Sequence, residues 1–181
     1  TNITPSALTA WSKVGIIDAS QFDAETAYAS VDRHRLDDVK PYVYRTHDGG
    51  KSWQPIANGL PIFVNVVRED SVRKGLLYLG TEHGIYVSFD DGARWESLRQ
   101  NLPDTPVHDI AVEERDLVIA THGRGFYVMD HIAPLRQGGI PTTSNVRLYK
   151  PDDALRGLDR NVAIDYYLKQ AAQNVKMEFL D

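Results

Sequence analysis

The sequence predicts an all-β fold built from repeated units of short strands, and three observations support this. The pattern [Ser/Thr]-x-Asp-x-Gly-x-x-Trp occurs twice, beginning at Thr46 and at Ser88, 42 residues apart. Short runs rich in Val, Ile, Tyr and Leu surround both copies and are punctuated by Gly, Asp, Asn or Pro. Helix signals are weak throughout. A period near 40 residues made of short strands is typical of the blades of a β-propeller.

The repeat extends beyond the two patterns, since residues 77–88 resemble residues 118–129, and Gly84 and Gly125 within these segments lie 41 residues apart. We therefore predict three blade-like units, at about 11–58, 59–102 and 103–130. The predicted strands are 14–19, 27–32, 42–46 and 52–56 in the first unit, 63–68, 76–81, 84–89 and 94–98 in the second, and 107–113, 116–121 and 125–130 in the third. The pattern then fails, so the third unit is expected to be incomplete.

The end of the chain follows a different pattern. Residues 131–150, which contain Pro134, Gly138 and Gly139, are predicted to be a linker or a last blade strand. Residues 151–181 are predicted to hold one β-hairpin, formed by the alternating segments 162–168 and 175–180. A lone hairpin is marginally stable in water, so it is expected to begin a second β domain or to dock onto the blades.

The four fixed positions of the pattern, present in both copies, suit a tight turn between the third and fourth strands of a blade. Asp side chains there can accept bonds from backbone N–H groups of their own turn, Gly permits positive φ, and Trp can pack between neighbouring blades. Catalysis by the two Asp residues is the less favoured alternative, because a residue repeated in every blade answers a shared folding requirement. The eight residues are Thr46, Asp48, Gly50 and Trp53, and Ser88, Asp90, Gly92 and Trp95.

Composition excludes several classes of function. The net charge of −5 gives no broad electrostatic case for binding nucleic acid or an anionic membrane. The absence of cysteine excludes disulfides, zinc–thiolate sites and cysteine nucleophiles. No apolar run approaches the ~20 residues of a membrane span, and no signal-peptide pattern is present. A phosphate-binding Gly-rich loop and a Gly-x-Ser-x-Gly elbow are also missing.

The two patterns match the Asp-box, or BNR repeat, of sialidases and sortilin-type propellers. The chain resembles bacterial BNR-repeat or sortilin-like glycosyl-hydrolase proteins over roughly residues 11–180. The segments that carry this resemblance are 23–28, 35–38, 67–70, 80–84, 120–126 and 163–168. The resemblance implies the end of a propeller followed by the first strand of a β-sandwich, and a secreted or periplasmic location.

The resemblance has two departures. The arginine triad, nucleophilic tyrosine and acid/base pair that sialidases need cannot be identified in this sequence. Three blades are also too few to close a ring, since propellers use about four to eight. The chain is therefore expected to self-associate, for example as two chains in a six-bladed ring, or to pair with the missing blades.

Candidate site residues lie in the loops on the face opposite the Asp-box turns, where sialidase-like propellers bind ligands. They are Arg33, His34, Arg35, Asp37, Asp38 and Lys40 in the first blade, Glu82 and His83 in the second, and His122 and Arg124 in the third. These side chains either form a binding site or are solvated loop residues. For glycoside hydrolysis, which needs two carboxylates, Glu82 with Asp37 or Asp38 is the pair to consider.

A metal site formed by His34, His83 and His122 is conceivable, because three imidazoles with an open position suit zinc. The histidines lack the local spacing of a metal motif, so no metal and no cofactor are expected. The predicted function is a non-catalytic propeller fragment that binds a protein or a carbohydrate. The alternative is a sialidase-like glycoside hydrolase whose remaining catalytic groups lie on absent blades or on a partner chain.

Overall fold

The structure, a computed structural model, describes residues 2–139, 143–151, 153 and 162–178. The chain divides into two compact units, Thr1–His131 and Ile132–Asp181. Among the described residues, the first unit contains three antiparallel sheets, and the second contains one small sheet. The predicted all-β fold class is confirmed.

Blade 1 and blade 2 are four-stranded sheets whose strands pair in chain order. Blade 1 consists of β1 (Lys13–Ala19), β2 (Ala27–Asp32), β3 (Val43–Thr46) and β4 (Gln54–Pro55). Blade 2 consists of β5 (Val64–Glu69), β6 (Leu77–Thr81), β7 (Gly84–Ser88) and β8 (Glu96–Ser97). The fourth strands are two residues long, shorter than the predicted segments 52–56 and 94–98, because the first two residues of each segment belong to the Asp-box turn.

Blade 3 is a three-stranded sheet in the part of the chain that the structure describes. Its strands are β9 (Val107–Val112), β10 (Leu117–Thr121) and β11 (Phe126–Met129), with β10 in the middle. Blade 2 lies between the other two blades, and all five residues of β6 are buried. A strand covered on both faces has no polar side, which explains why β6 reads as a continuous apolar run in the sequence.

The main core of the first unit fills the space between blade 1 and blade 2. Tyr28 and Val43 come from blade 1, and Val64, Val67 and Leu79 come from blade 2. Each of these side chains is buried. Trp95 packs against this cluster, and its indole N–H donates a hydrogen bond to the Ile56 carbonyl at 2.6 Å.

Both Asp-box turns join the third strand of a blade to the fourth and are held by local hydrogen bonds. In blade 1 the Asp48 carboxylate accepts bonds from the Thr46 hydroxyl at 2.8 Å and from the Ser52 N–H at 2.9 Å. In blade 2 Asp90 accepts the equivalent bonds from Ser88 and the Arg94 N–H, both at 2.9 Å. These four bonds give the box aspartates a structural role in closing the turn.

The charge of each box aspartate is stabilised by its turn. Hydrogen bonds from the Ser52 hydroxyl and N–H, and from Thr46, lower the pKa of Asp48 from 3.8 to about 2. Burial acts to raise the pKa of Asp90, but bonds from the Arg94 N–H and guanidinium outweigh it, so that pKa lies below its usual value. Both aspartates are therefore ionised acceptors at neutral pH.

The second unit differs from the predicted hairpin. It contains a one-turn helix, α1 (Ala133–Arg136), within the predicted linker, and two paired strands, β12 (Val146–Leu148) and β13 (Tyr166–Leu168). The partner of β13 is therefore β12, whereas the sequence predicted a segment at 175–180. Residues 175–178 form no strand, and the rest of that segment lies outside the described residues.

The neighbourhood of Tyr149 explains why β13 pairs with β12. Tyr149 is buried, its hydroxyl donates to the Gly139 carbonyl at 2.6 Å, and its N–H donates to the Asp165 carbonyl at 3.0 Å. At the other end of the pair, the Lys169 N–H donates to the Asn145 carbonyl at 2.9 Å. The segment before Tyr149 is thus anchored beside β13, whereas the described residues of the alternative segment are exposed.

Candidate functional site

The first strand of every blade is interrupted by a β-bulge at the same place. The register shifts between Val14 and Ile17 in β1 and between Val64 and Val66 in β5. In β9 the shift leaves His108 between two paired residues. Bulges re-aim side chains and are frequent beside active sites. Counted from the pairs that precede the bulges, Gly15, Asn65 and His108 occupy equivalent positions in the three blades.

A cavity of about 490 Å³ opens beside these bulges, on the face opposite the Asp-box turns. Its lining combines side chains from all three blades, and most of them are polar. The lining residues are Lys13, Gly15, Ile16, Asp32, His34, Phe63, Asn65, Glu82 and His108. The bulge positions of the three blades thus meet at one opening, as expected for the centre of a propeller face.

An imidazole held by a carboxylate forms one side of the cavity. Nδ1 of His34 lies 2.6 Å and 2.7 Å from the two carboxylate oxygens of Asp32, and the backbone N–H of His34 donates to the same carboxylate at 2.9 Å. The His34 ring also stacks on the Phe63 ring, with centroids 5.5 Å apart. These contacts on both sides fix the orientation of the imidazole.

An amide–carboxylate pair forms another side. The Asn65 amide donates to Glu82 Oε1 at 3.0 Å and to the Val107 carbonyl of blade 3 at 3.2 Å. The backbone carbonyl of Asn65 accepts a bond from the Ser30 hydroxyl of blade 1 at 3.0 Å. Asn65 therefore links the three blades and holds Glu82 in position at the cavity.

The two acidic residues of the cavity occupy equivalent places in neighbouring blades. Asp32 ends β2, and Glu82 follows the last residue of β6, Thr81. The same position in blade 3 is His122, which follows β10 and whose ring meets the His108 ring edge-on at 5.1 Å between centroids. The end of each second strand therefore supplies a titratable side chain to this face of the molecule.

The predicted site residues of the first blade are only partly brought together. His34 lines the cavity. The carboxylate of Asp38 accepts a bond from the Tyr42 hydroxyl at 2.7 Å and pairs with Arg33 at 3.4 Å, and the Tyr42 bond lowers the pKa of Asp38. Asp37 caps a 3-10 turn in the left-handed conformation. Neither of these two aspartates lines the cavity with Glu82.

Arg35 and Lys40 are exposed in the same loop and are not among the cavity-lining residues. In blade 2, His83 pairs with Asp104 at 2.9 Å, and both side chains are more than half exposed. In blade 3, Arg124 is exposed between two glycines. These positions lie in the predicted loops, but outside the cavity lining.

The three histidines considered as zinc ligands have separate partners: Asp32 for His34, Asp104 for His83, and the ring of His108 for His122. Within the described residues, no group of three or more His, Asp or Glu side chains is arranged to hold a metal ion. Nor does that part of the chain contain a helix long and apolar enough to cross a membrane.

Sequence reasoning missed seven of the nine lining residues, namely Lys13, Gly15, Ile16, Asp32, Phe63, Asn65 and His108. The signal was present but weak. Alignment of the three blades on their second strands places Asp32, Glu82 and His122 together, whereas alignment on Gly84 and Gly125 sets His83 against Arg124. The bulges at Asn65 and His108 have no signature in a single sequence, because a bulge becomes visible only in the register of the paired strands.

No family model matches the sequence. A segment of 74 residues is 30% identical to Vacuolar protein sorting/targeting protein 10 of Pyrenophora teres f. teres (strain 0-1), and the match covers 41% of this chain and 5% of that protein. The chain thus spans a small part of this relative's length.

The structure is similar to two solved GH74 enzymes. An ancestral GH74 enzyme matches 61% of this chain with a TM-score of 0.51 and 18% identity, over 14% of its own length. The GH74 enzyme of Niastella koreensis matches 65% with a TM-score of 0.51 and 13% identity, over 21% of its length. Identities this low support a shared fold and no more. Together with the blades described above, these likenesses show that the chain has the fold of β-propeller blades.

Proposed function

We propose that this part of a propeller is a non-catalytic interaction module that binds a carbohydrate or a polar protein segment in the central cavity. The observation that carries the proposal is the convergence of Asn65, Glu82, His34 and His108 from three blades on one opening. Binding sites combine a concave shape with a few fixed polar groups, and the hydrogen bonds of Asn65 and Asp32 fix such groups here.

The lining suits a ligand rich in hydroxyl or amide groups. The carboxylates of Asp32 and Glu82 are acceptors, Lys13 is a donor, and the Phe63 ring offers an apolar surface. The Nδ1 atom of His34 is already engaged by Asp32, so Nε2 is the nitrogen that a ligand would meet. Such a mixture of acceptors, donors and one aromatic ring matches the alternating polar and apolar surfaces of a sugar.

The test is a screen of the full chain against a glycan array and a library of polar peptides, followed by titration of the best binder into variants. His108→Ala and Asn65→Ala are expected to weaken binding at least about tenfold, the effect of losing roughly 1.4 kcal/mol of binding energy. The matched control is His83→Ala, which removes an exposed imidazole outside the lining. Equal affinity for all three variants would exclude the cavity as the binding site.

We also propose that the interaction role includes completion of the propeller, either by self-association or by blades from another polypeptide. Supporting this, blade 3 has three strands in the described part of the chain, and apolar side chains on its outer strand, Phe126 and Val128, are exposed. Exposed apolar sheet surfaces of this kind mark interaction sites.

Glycoside hydrolysis is the second candidate, and one observation favours it: Asp32 and Glu82, at equivalent ends of neighbouring strands, line the same cavity. Two carboxylates flanking a bound sugar are the minimum for this chemistry. Turnover of a glycoside panel that disappears in both Asp32→Asn and Glu82→Gln would establish it. Turnover that persists in both variants, or is absent from the unmodified protein, would count against it.

For the family, we propose kinship with Asp-box, sortilin-like propellers. The two turns with identical hydrogen bonding at Asp48 and Asp90 support this, as does the partial match to Vacuolar protein sorting/targeting protein 10. A secreted or periplasmic location is part of the same proposal. Fractionation of cells that express the natural gene would test it.

A further inference from the structure

The tryptophan of each Asp-box turn docks on the blade before it. Trp95 of blade 2 donates to the carbonyl of Ile56, the residue that follows β4 of blade 1, at 2.6 Å. Trp53 of blade 1 makes the same bond at 2.7 Å, but its acceptor is the carbonyl of Ile3. With respect to blade 1, Ile3 therefore stands where a residue following the fourth strand of a preceding blade would stand.

Two further contacts support this equivalence. A side chain on Gly92 would collide with Ile56, and a side chain on Gly50 would come within 3.0 Å of Ile3. The Leu60 N–H closes a turn on the Ala57 carbonyl, and the Leu8 N–H closes the same kind of turn on the Pro5 carbonyl. Residues 3–8 are thus the counterpart of the blade-to-blade link 56–60, with one additional residue.

The surface of blade 1 beside this segment is open. Ile17 is 62% exposed, whereas its counterpart in blade 2, Val67, is fully buried against blade 1. A largely apolar cavity of about 270 Å³ lies here, bounded by Ile3, Val14 and Ile17 among others. Between blades 1 and 2 the same space is filled by Tyr28 and Val43. Blade 1 therefore has an apolar surface shaped to pack against a preceding blade, but no side chains from such a blade fill its cavity.

The outward surface of blade 3 is open in the complementary way. Phe126 is 78% exposed, whereas its counterpart Ile85 is 1% exposed beneath blade 3. By strand register, Phe126 is also equivalent to Val43, and Val118 is equivalent to Tyr28. Blade 3 thus presents one aromatic and one β-branched side chain where blade 1 presents the same two kinds in exchanged places.

The two open faces also lack the charged pair that joins blades 1 and 2. Between blades 1 and 2, Arg45 donates to the Asp91 carboxylate at 2.7 Å, and the Tyr28 hydroxyl donates to it at 2.7 Å. On the open faces, Val128 stands at the position of Arg45, and Gly49 stands at the position of Asp91. At these two positions, joining the faces would therefore bury no unpaired charge, which is costly in an interface.

We infer that the blade 3 face of one copy docks on the blade 1 face of a second copy, and that residues 2–8 of each copy complete blade 3 of the other. The third and fourth strands of blades 1 and 2 end with Ile56 and Leu98 N–H groups donating to Val43 and Ile85 carbonyls, each at 2.9 Å. The corresponding bond would join the Ile3 N–H to the Phe126 carbonyl of the second copy. Two such contacts close a six-bladed ring, a head-to-tail arrangement that uses up both faces. This inference extends the interaction role proposed above, but it does not require that the cavity binds any ligand.

The first test is the mass of the full 181-residue chain in solution, measured by light scattering across a concentration series. A dimer is expected. Val128→Asp should raise the dimer dissociation constant at least about a hundredfold, because it buries a charge in the new interface. The matched control is Val72→Asp, at a valine similarly exposed in the turn between β5 and β6, which should leave the dimer intact. A monomer at every concentration, open-ended growth, or equal behaviour of the two variants would overturn the inference.

The second test determines which residues of the two copies are paired across the new contact. The chain has no cysteine, so cysteines at Asn2 and Tyr127 give an unambiguous cross-link; the corresponding residues of blade 1, Pro55 and Tyr44, are paired across the strands. Oxidation of the double variant should yield a covalent dimer, whereas Asn2→Cys combined with Asn101→Cys should not. A dimer cross-linked equally well by both pairs would contradict the strand exchange. Ligand binding measured on the same preparations reports separately on the cavity.

Discussion

The Asp-box face and the cavity face of the molecule differ in the residues that equivalent positions of the blades carry. On the Asp-box face, the aspartate of the box is the same in both complete turns, as Asp48 and Asp90, and the bonds that these two carboxylates accept come from their own turns. On the cavity face, equivalent positions carry different residues: Gly15, Asn65 and His108 at the bulges. A repeated residue meets a folding requirement that each blade shares, whereas residues that diverge at equivalent positions can form a single asymmetric site. Changes on the first face should therefore affect stability, and changes on the second should affect binding.

The largest effect on stability is expected at a glycine of the Asp-box face. Gly92 has a φ of +84°, and a Cβ there would lie 2.6 Å from Ile56 Cδ1. Gly92→Ala should lower the free energy of unfolding by about 2–4 kcal/mol, through backbone strain together with overpacking. Gly59→Ala is the matched control, because Gly59 has a φ of +79° with open space around it. Equal losses in urea unfolding would mean that the Ile56 contact is unimportant.

Removal of a box carboxylate should have the next largest effect. Asp90→Ala deletes the acceptor of bonds from the Ser88 hydroxyl and the Arg94 N–H, so a loss of about 1–3 kcal/mol is expected. Ligand affinity should stay unchanged in any assay that detects binding. If Asp90→Ala kept its stability and lost binding, the division between the two faces would be wrong.

A variant of the cavity lining is expected to lose ligand affinity and keep its stability. His108→Ala removes an exposed ring on a bulge, so its effect on unfolding should stay within about 0.5 kcal/mol. Its ligand affinity should fall, as described above. A large loss of stability in this variant would indicate that the edge-on contact with His122 serves to hold blade 3 together.

The smallest effect is a difference in acid sensitivity. The pKa of Asp48 is about 2 in the folded protein, below its ordinary value of 3.8, because the Ser52 and Thr46 bonds stabilise the carboxylate. A lowered pKa contributes stability that is present above the ordinary value and is lost as the pH falls toward 2. Asp48→Asn should therefore flatten the decline in stability across this range, and Ser52→Ala should do so less. An unchanged slope for Asp48→Asn would exclude this contribution.

The sequence was sufficient for the blades and insufficient for the site, for different physical reasons. The strands of blades 1 and 2 and their box turns are encoded locally, by alternation, glycine and the Asp–Ser or Asp–Thr bonds, so a repeat of about 40 residues predicts them. The pairing of β13 with β12 depends on the burial of Tyr149, which no local pattern reports. Glu82 and His34 were predicted because they lie in loops on the expected binding face. Asn65, Asp32 and His108 lie on strands, and their approach to the cavity depends on strand register, which a single sequence does not report.

The most direct test measures affinity and unfolding free energy on the same preparations of two variants, Asn65→Ala and Asp90→Ala. For Asn65→Ala, the loss of the link to Glu82 should reduce ligand affinity at least about tenfold. Loss of the bond to the Val107 carbonyl of blade 3 should also lower the free energy of unfolding, by about 1 kcal/mol. For Asp90→Ala, stability should fall by about 1–3 kcal/mol with affinity unchanged. A cavity variant that alters only stability, or an Asp-box variant that alters only affinity, would contradict the assignment of binding to one face and folding to the other.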